Sequence, residues 1–195
     1  DKPFDLRRFI FRMRSYTPIP FLVVMVLFAR PTAASLAAGF AILLLGEALR
    51  FWGVSIAGAE TRTTGTVGGT YLITNGPFAF VRNPLYLGNL LVYAGIGVMS
   101  MALFPWLLAG AIVWFYLQYY LIVTREEEYL RERFDGDYDR YCRSVRRFVP
   151  RLTPYRPATP PPKTVNAAEG LASERRTLQA IGLVTIALFI IFLIR

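Results

Sequence analysis

The sequence predicts an all-α integral membrane protein of about five transmembrane helices, with a cytoplasmic loop and a C-terminal helical segment. Three observations carry that prediction. Residues 85–124 are 40 consecutive positions without Asp, Glu, Lys or Arg. Mean hydropathy is +0.40 and charged residues make up 18% of the chain, against roughly 25% in an ordinary soluble domain. The apolar runs are continuous rather than alternating, which favours helices over a transmembrane barrel.

The elements follow in chain order. Lys2, Arg7, Arg8, Arg12 and Arg14 precede the first apolar run, without the small-residue cleavage pattern of a signal peptide. A first span covers 18–29, with a backward extension through Ile10 and Phe11 and a start blurred by Pro18 and Pro20. A second covers 31–59 and is interrupted only by Glu47 and Arg50. The stretch 85–124 makes two crossings, 85–104 and 105–124, joined by a tight turn, given a rise of about 1.5 Å per residue. The segment 126–141 reads as a charged helix with one apolar face, Leu130, Phe134, Tyr138 and Tyr141. Pro154, Pro157, Pro160, Pro161 and Pro162 mark an extended linker. A last apolar run, 177–194, forms the fifth span, a peripheral packing or dimerisation helix. The organisation is thus 1–59 (basic segment and two spans), 60–153 (a core of loop, hairpin and Glu-rich helix), 154–176 (linker) and 177–195 (final span).

The net charge of +9 suggests nucleic acid at first sight, but the basic residues flank apolar spans. Anionic headgroups are the better partner, and no nucleic acid is expected. The distribution of Lys and Arg puts the N-terminus and both polar motifs inside, with the C-terminus on the opposite side. The chain has no His and a single cysteine, Cys142. Imidazole metal sites, His-based triads and an internal disulfide are therefore excluded, and no metal is expected.

Two polar motifs bracket the long uncharged stretch. Before it, Gly65, Gly68 and Gly69 lead to Tyr71, then to the turn Asn75-Gly76-Pro77-Phe78 and to Arg82-Asn83-Pro84-Leu85-Tyr86. Free N–H groups at the start of the following helix, with Arg82 beside them, favour an anion. The plain alternative is a loop entering the membrane, with Arg82 snorkelling to headgroups. After the stretch come Arg125-Glu126-Glu127-Glu128. These acids suit an amine or sulfonium; the alternative is a solvated helix face with a weak Glu127–Arg131 pair. A two-span hairpin returns both motifs to one membrane face. One anion-binding end and one acidic end then match a zwitterion such as an amino-acid moiety.

Two further groups stand apart. Glu47 and Arg50 are three residues apart within a span, where they orient a substrate's polar head or neutralise each other. Trp114, with Tyr116, Tyr119 and Tyr120, lines an acyl or cofactor slot or forms part of the packing or an aromatic belt.

The order Gly76-Pro77-Phe78, Arg82-Asn83-Pro84-Leu85-Tyr86-Leu87-Gly88, hairpin, Arg125-Glu126-Glu127-Glu128-Tyr129-Leu130, then Val145-Arg146-Arg147-Phe148-Val149-Pro150, resembles the isoprenylcysteine carboxyl methyltransferase and phospholipid methyltransferase superfamily. The similarity covers about residues 66–151. It implies an integral membrane methyltransferase that moves a methyl group from S-adenosyl-L-methionine to a lipid or lipid-like acceptor at the cytoplasmic face. That acceptor is the carboxylate of a prenylated cysteine, a phospholipid amine or something similar. By position, Arg82, Asn83, Tyr86, Glu126 and Glu127 become cofactor-pocket residues, with Tyr71, Gly76, Pro77 and Phe78 shaping the loop and Tyr138 and Arg147 completing a lid. Glu127 and Arg82 are the catalytic candidates, and Glu47, Arg50 and Trp114 the substrate candidates. The family usually has His where this chain has Asn83, and Gly directly after Phe134, where this chain has Asp135-Gly136. Two other readings stay open: an NADPH-dependent membrane sterol or lipid reductase of related architecture, and a non-catalytic protein that retains the fold.

Overall fold

A computed structural model describes residues 6–58, 71–157 and 165–195, with side chains from Phe9 onward. Lys2, the side chains of Arg7 and Arg8, Gly65, Gly68 and Gly69, and Pro160, Pro161 and Pro162 lie outside the described residues.

Six α-helices account for most of the described chain: α1 (Leu6–Met13), α2 (Pro18–Leu27), α3 (Ala33–Ala57), α4 (Pro84–Ser100), α5 (Trp106–Ser144) and α6 (Ala167–Ile194). A short 3-10 helix spans Gly76–Ala79, and no strand occurs among the described residues. The protein is an all-α membrane protein, as the composition requires. Three helices, α3, α5 and α6, are long and apolar enough to cross a bilayer, and α2 and α4 are shorter apolar helices. The five expected apolar segments are all present.

Three boundaries differ from the sequence reading. The charged segment after Thr124 is no separate helix but the continuation of α5, interrupted at Asp135 (φ 39, ψ −125). Residues 10 and 11 belong to α1 rather than to an extension of α2. The last helix begins at Ala167, ten residues before its apolar run. Asn166 explains that early start. The Glu169 N–H donates to Asn166 Oδ1 at 3.2 Å, and Asn166 Nδ2 donates to Glu169 Oε1 at 3.0 Å. This reciprocal cap satisfies donors that a helix start leaves open.

The chain divides into two compact units. The first is apolar and contains α1, α2, α3 as far as Glu47, Asn89–Ile122 and Arg176–Arg195. Its helices approach through small residues. A Cβ on Gly39 would lie 2.5 Å from the Gly95 carbonyl oxygen, so α3 and α4 pass backbone to backbone. Phe21, Tyr93 and Tyr119 surround Phe115, the Tyr93 ring stacking on it at 4.3 Å. Thr17 donates to Gln118 Oε1 at 2.9 Å, and Thr32 and Ser35 cap each other at the start of α3.

The second unit comprises Ala48–Gly88 and Val123–Arg175. The end of α3 packs here on the segment that leads into α4. Trp52 meets Phe80, and a Cβ on Gly53 would lie 2.7 Å from Leu85. Gly76 adopts φ +56 and leaves no room for a side chain, since its Cβ would lie 1.9 Å from Ile56 Cδ1. Only glycine takes that conformation in that space without strain. Tyr138, Tyr141 and Val145 form a small core with Leu72, Leu130, Phe134, Cys142 and Tyr155 around it.

Candidate functional site

The second unit gathers both polar motifs. Pro84 opens α4 and fixes the first turn, which puts Arg82 and Asn83 just before the helix and Tyr86 within it. α5 continues past its apolar stretch and carries Glu126 and Glu127 into the same unit. The two motifs touch. Tyr86 donates to Glu126 Oε1 at 2.8 Å. Arg82 Nη1 lies 3.4 Å from Glu127 Oε1.

The segment after α5 closes the arrangement. Arg147 binds Glu127 with two parallel bonds, Nε to Oε1 at 2.9 Å and Nη2 to Oε2 at 2.7 Å. Such a fork is stronger and more directional than a single ion pair. Glu127 is 3% exposed. A carboxylate so far from water needs both its cations, and here it sits between two guanidinium groups. In this geometry Glu127 holds Arg82 and Arg147 in register. Arg82 Nη1 also donates to Cys142 Sγ.

The same segment is stitched to the loop through the backbone. The Arg82 N–H donates to the Arg146 carbonyl at 3.0 Å, the Arg151 N–H to the Phe80 carbonyl at 2.9 Å, and the Tyr155 N–H to the Ala79 carbonyl at 2.9 Å. Asn83 Nδ2 adds a bond to the Arg147 carbonyl at 3.0 Å. An amide makes this bond without titrating, so the position can serve as a tie where an imidazole would change charge near neutral pH. Tyr141 donates to the Phe78 carbonyl at 2.7 Å. Burial raises the pKa of Tyr138 and Tyr141, both beyond the apolar stretch of α5, so each phenol stays protonated and available as a donor.

Of the residues singled out in the sequence, Arg82, Asn83, Tyr86, Glu126, Glu127 and Arg147 are thus brought into one network. Pro77 and Phe78 form its loop with Gly76, and Tyr138 belongs to the core beside it. The Tyr71 hydroxyl is buried and has no hydrogen-bond partner among the described residues. Glu47 and Trp114 belong to the apolar unit, Glu47 buried on α3 and Trp114 half exposed on α5. Arg50 pairs with Glu174 of α6 at 2.6 Å.

Three participants were not legible as such. Cys142 counted in the sequence only as the lone cysteine. Tyr141 read as part of an apolar face, not as a hydroxyl donor to the loop. Glu174 fell within the expected linker. The pattern Asn166-Ala167-Ala168-Glu169 was the available signal for Glu174, because a capping box there makes 174 helical.

No solved structure matches the chain. An 87-residue stretch, 45% of this chain and 39% of the relative, is 33% identical to the nickel-cobalt-cadmium resistance protein NccN of Alcaligenes xylosoxydans xylosoxydans. An 85-residue stretch, 44% of this chain and 38% of the relative, is 35% identical to the cobalt-zinc-cadmium resistance protein CzcN of Cupriavidus metallidurans. The matched part is therefore about two fifths of the length of these relatives. Residues 34–137, just over half of the chain and including Arg82, Asn83, Tyr86, Glu126 and Glu127, match the phospholipid methyltransferase family. The chain belongs to that family, whose members are membrane methyltransferases.

Proposed function

We propose that this chain transfers a methyl group from S-adenosyl-L-methionine to a lipid or lipid-like acceptor at the cytoplasmic membrane face. One observation carries the reading: the two ends of the uncharged hairpin meet in a charged network whose centre, Glu127, is held by Arg82 and Arg147. That donor set suits the amino-acid end of the cofactor. It offers guanidinium groups for a carboxylate and a second carboxylate, Glu126, for an ammonium. The buried Tyr71 hydroxyl and the buried Arg82 Nε, which has no hydrogen-bond partner among the described residues, are further groups that a polar ligand would engage.

When bound, the cofactor supplies an already activated methyl group, so the protein's work is positioning and exclusion of water. Arg147 fixes Glu127, Glu127 fixes Arg82, and the backbone ties from Arg146 and Arg147 keep the loop closed over them. Tyr86 orients Glu126 for the cofactor's ammonium; a carboxylate acceptor needs no base. The acceptor enters from the bilayer.

The relatives' names suggest a setting, resistance to nickel, cobalt, zinc and cadmium. With no His and one cysteine, this chain is poorly supplied with metal ligands. Its contribution to such resistance would be chemical modification of a membrane component.

Purified protein titrated with S-adenosylhomocysteine and with NADPH gives the first test. Saturable binding of the former is expected. Binding of NADPH alone would replace the methyltransferase reading by the reductase one. Membranes incubated with methyl-labelled S-adenosylmethionine, extracted and analysed by mass, then identify the acceptor.

A further inference from the structure

The polar unit holds a buried charged pair outside the network around Glu127. Arg50 Nη2 on α3 lies 2.6 Å from Glu174 Oε2 on α6. Two more contacts press the start of α6 against α3. The Asn166 N–H donates to the Ser55 carbonyl at 2.7 Å, and a Cβ on Gly170 would lie 2.2 Å from Ser55 Oγ. The pair sits on an apolar spanning helix, where a charge is expensive and an apolar pair of equal volume is often as stable. Stability alone is therefore a poor reason for it.

Its exposure is lopsided. The Arg50 side chain is 12% exposed and that of Glu174 is 1% exposed. A ligand reaching the pair meets the guanidinium, while the carboxylate is sealed behind it. Next to Glu174, the Ser173 hydroxyl is buried with no partner among the described residues, so this part of α6 has hydrogen-bonding capacity the fold leaves unused. Arg50 also stands one turn from Gly53, which packs on Pro77 and Leu85, the residues flanking the Arg82-Asn83 loop.

We propose that Arg50 binds an anionic group of the acceptor, a lipid phosphodiester or carboxylate, and that Glu174 is a positioning residue that fixes the guanidinium for it. Methyl transfer enters only in naming the bound lipid an acceptor; the binding itself stands apart from it.

Binding of three short-chain probes to the full chain in neutral detergent tests this, read by tryptophan fluorescence: dihexanoylphosphatidylethanolamine, dodecanoate and dodecylamine. Trp52, two residues from Arg50, supplies a local signal. The unaltered protein is expected to bind one of the first two at least about tenfold more tightly than dodecylamine, and the better of them identifies the source of the anion. Arg50→Gln and Glu174→Gln should each reduce that preference to under about threefold, with Glu174→Asp retaining part of it. Helical content serves as the folding control. No preference in the unaltered protein overturns the proposal. So does a Glu174→Gln protein that melts at lower temperature but keeps the full preference, because the pair is then structural only. If Glu174→Gln does not fold, the double variant Arg50→Met, Glu174→Leu leaves no charge stranded and takes its place. Preference retained there is equally fatal. Anion preference without methyl transfer leaves this site standing and removes the methyltransferase reading; transfer without anion preference does the reverse.

Discussion

The apolar and polar units hold their helices together by opposite means. In the apolar unit α3 meets α4 through Gly39 and Gly95, and an aromatic group fills the space around Phe115. In the polar unit α3 meets α6 through an ion pair, and α5 meets the α4 loop through Glu127 and two guanidinium groups. The difference lies in how each fails. A close-packed contact loses energy in proportion to the atoms displaced. A buried charge that loses its partner is left with a desolvation cost nothing offsets. The polar unit should therefore be brittle where the apolar unit is graded.

Glu127→Ala is the strongest test of brittleness. It strands Arg82 and Arg147 together and should cost about 3–5 kcal/mol, with loss of S-adenosylhomocysteine binding. Glu127→Gln keeps the hydrogen bonds and should cost less. Thermal unfolding in detergent and ligand titration measure both. If the alanine variant melts within a degree or two of the parent, the network is a surface arrangement and the contrast between units is gone.

Gly39→Ala probes the graded side. The added methyl meets the Gly95 carbonyl and Met99 at 2.5 Å, so the helices must separate. A loss of about 1–3 kcal/mol is expected, with ligand binding unchanged. Gly110→Ala, in α5, is the matched control, because nothing lies within 4 Å of its would-be Cβ. There the higher helix propensity of alanine should stabilise by up to about 1 kcal/mol. Equal effects at the two glycines would show that close approach of α3 and α4 does not hold the apolar unit.

What the sequence revealed divides along the same line. The apolar helices announced themselves through uninterrupted hydropathy, which depends on composition alone. Arg82, Asn83, Tyr86, Glu126 and Glu127 were legible because a hairpin of known length returns its ends to one place. Contacts set by partners distant in sequence were harder to read. Nothing local ties Arg50 to Glu174, 124 positions away. The α4–α5 turn was equally opaque in detail: Met101 (φ 50) and Leu103 (φ 45) take left-handed conformations where neither glycine nor asparagine signals them. The break in α5 was half legible. The shifted glycine after Phe134 drew notice, but its consequence needed backbone angles.

That consequence supplies the smallest and most pointed test. Asp135 carries φ 39 and ψ −125, a conformation that glycine adopts freely and a Cβ opposes, while the glycine stands one position later at 136. The strain falls on the wrong residue. Asp135 is exposed, so no packing contact is at stake on replacement. Asp135→Gly should relieve the strain at the cost of a more flexible unfolded chain, for a net gain of about 1 kcal/mol. Gly136→Ala in the same background recovers helix propensity in the turn that follows, and nothing lies within 4 Å of the added methyl. The double variant should therefore melt above the parent with the Glu127 network intact. A fall in melting temperature on Asp135→Gly would mean that the aspartate itself holds the bend, and that the polar unit tolerates strain for the sake of a side chain rather than in spite of one.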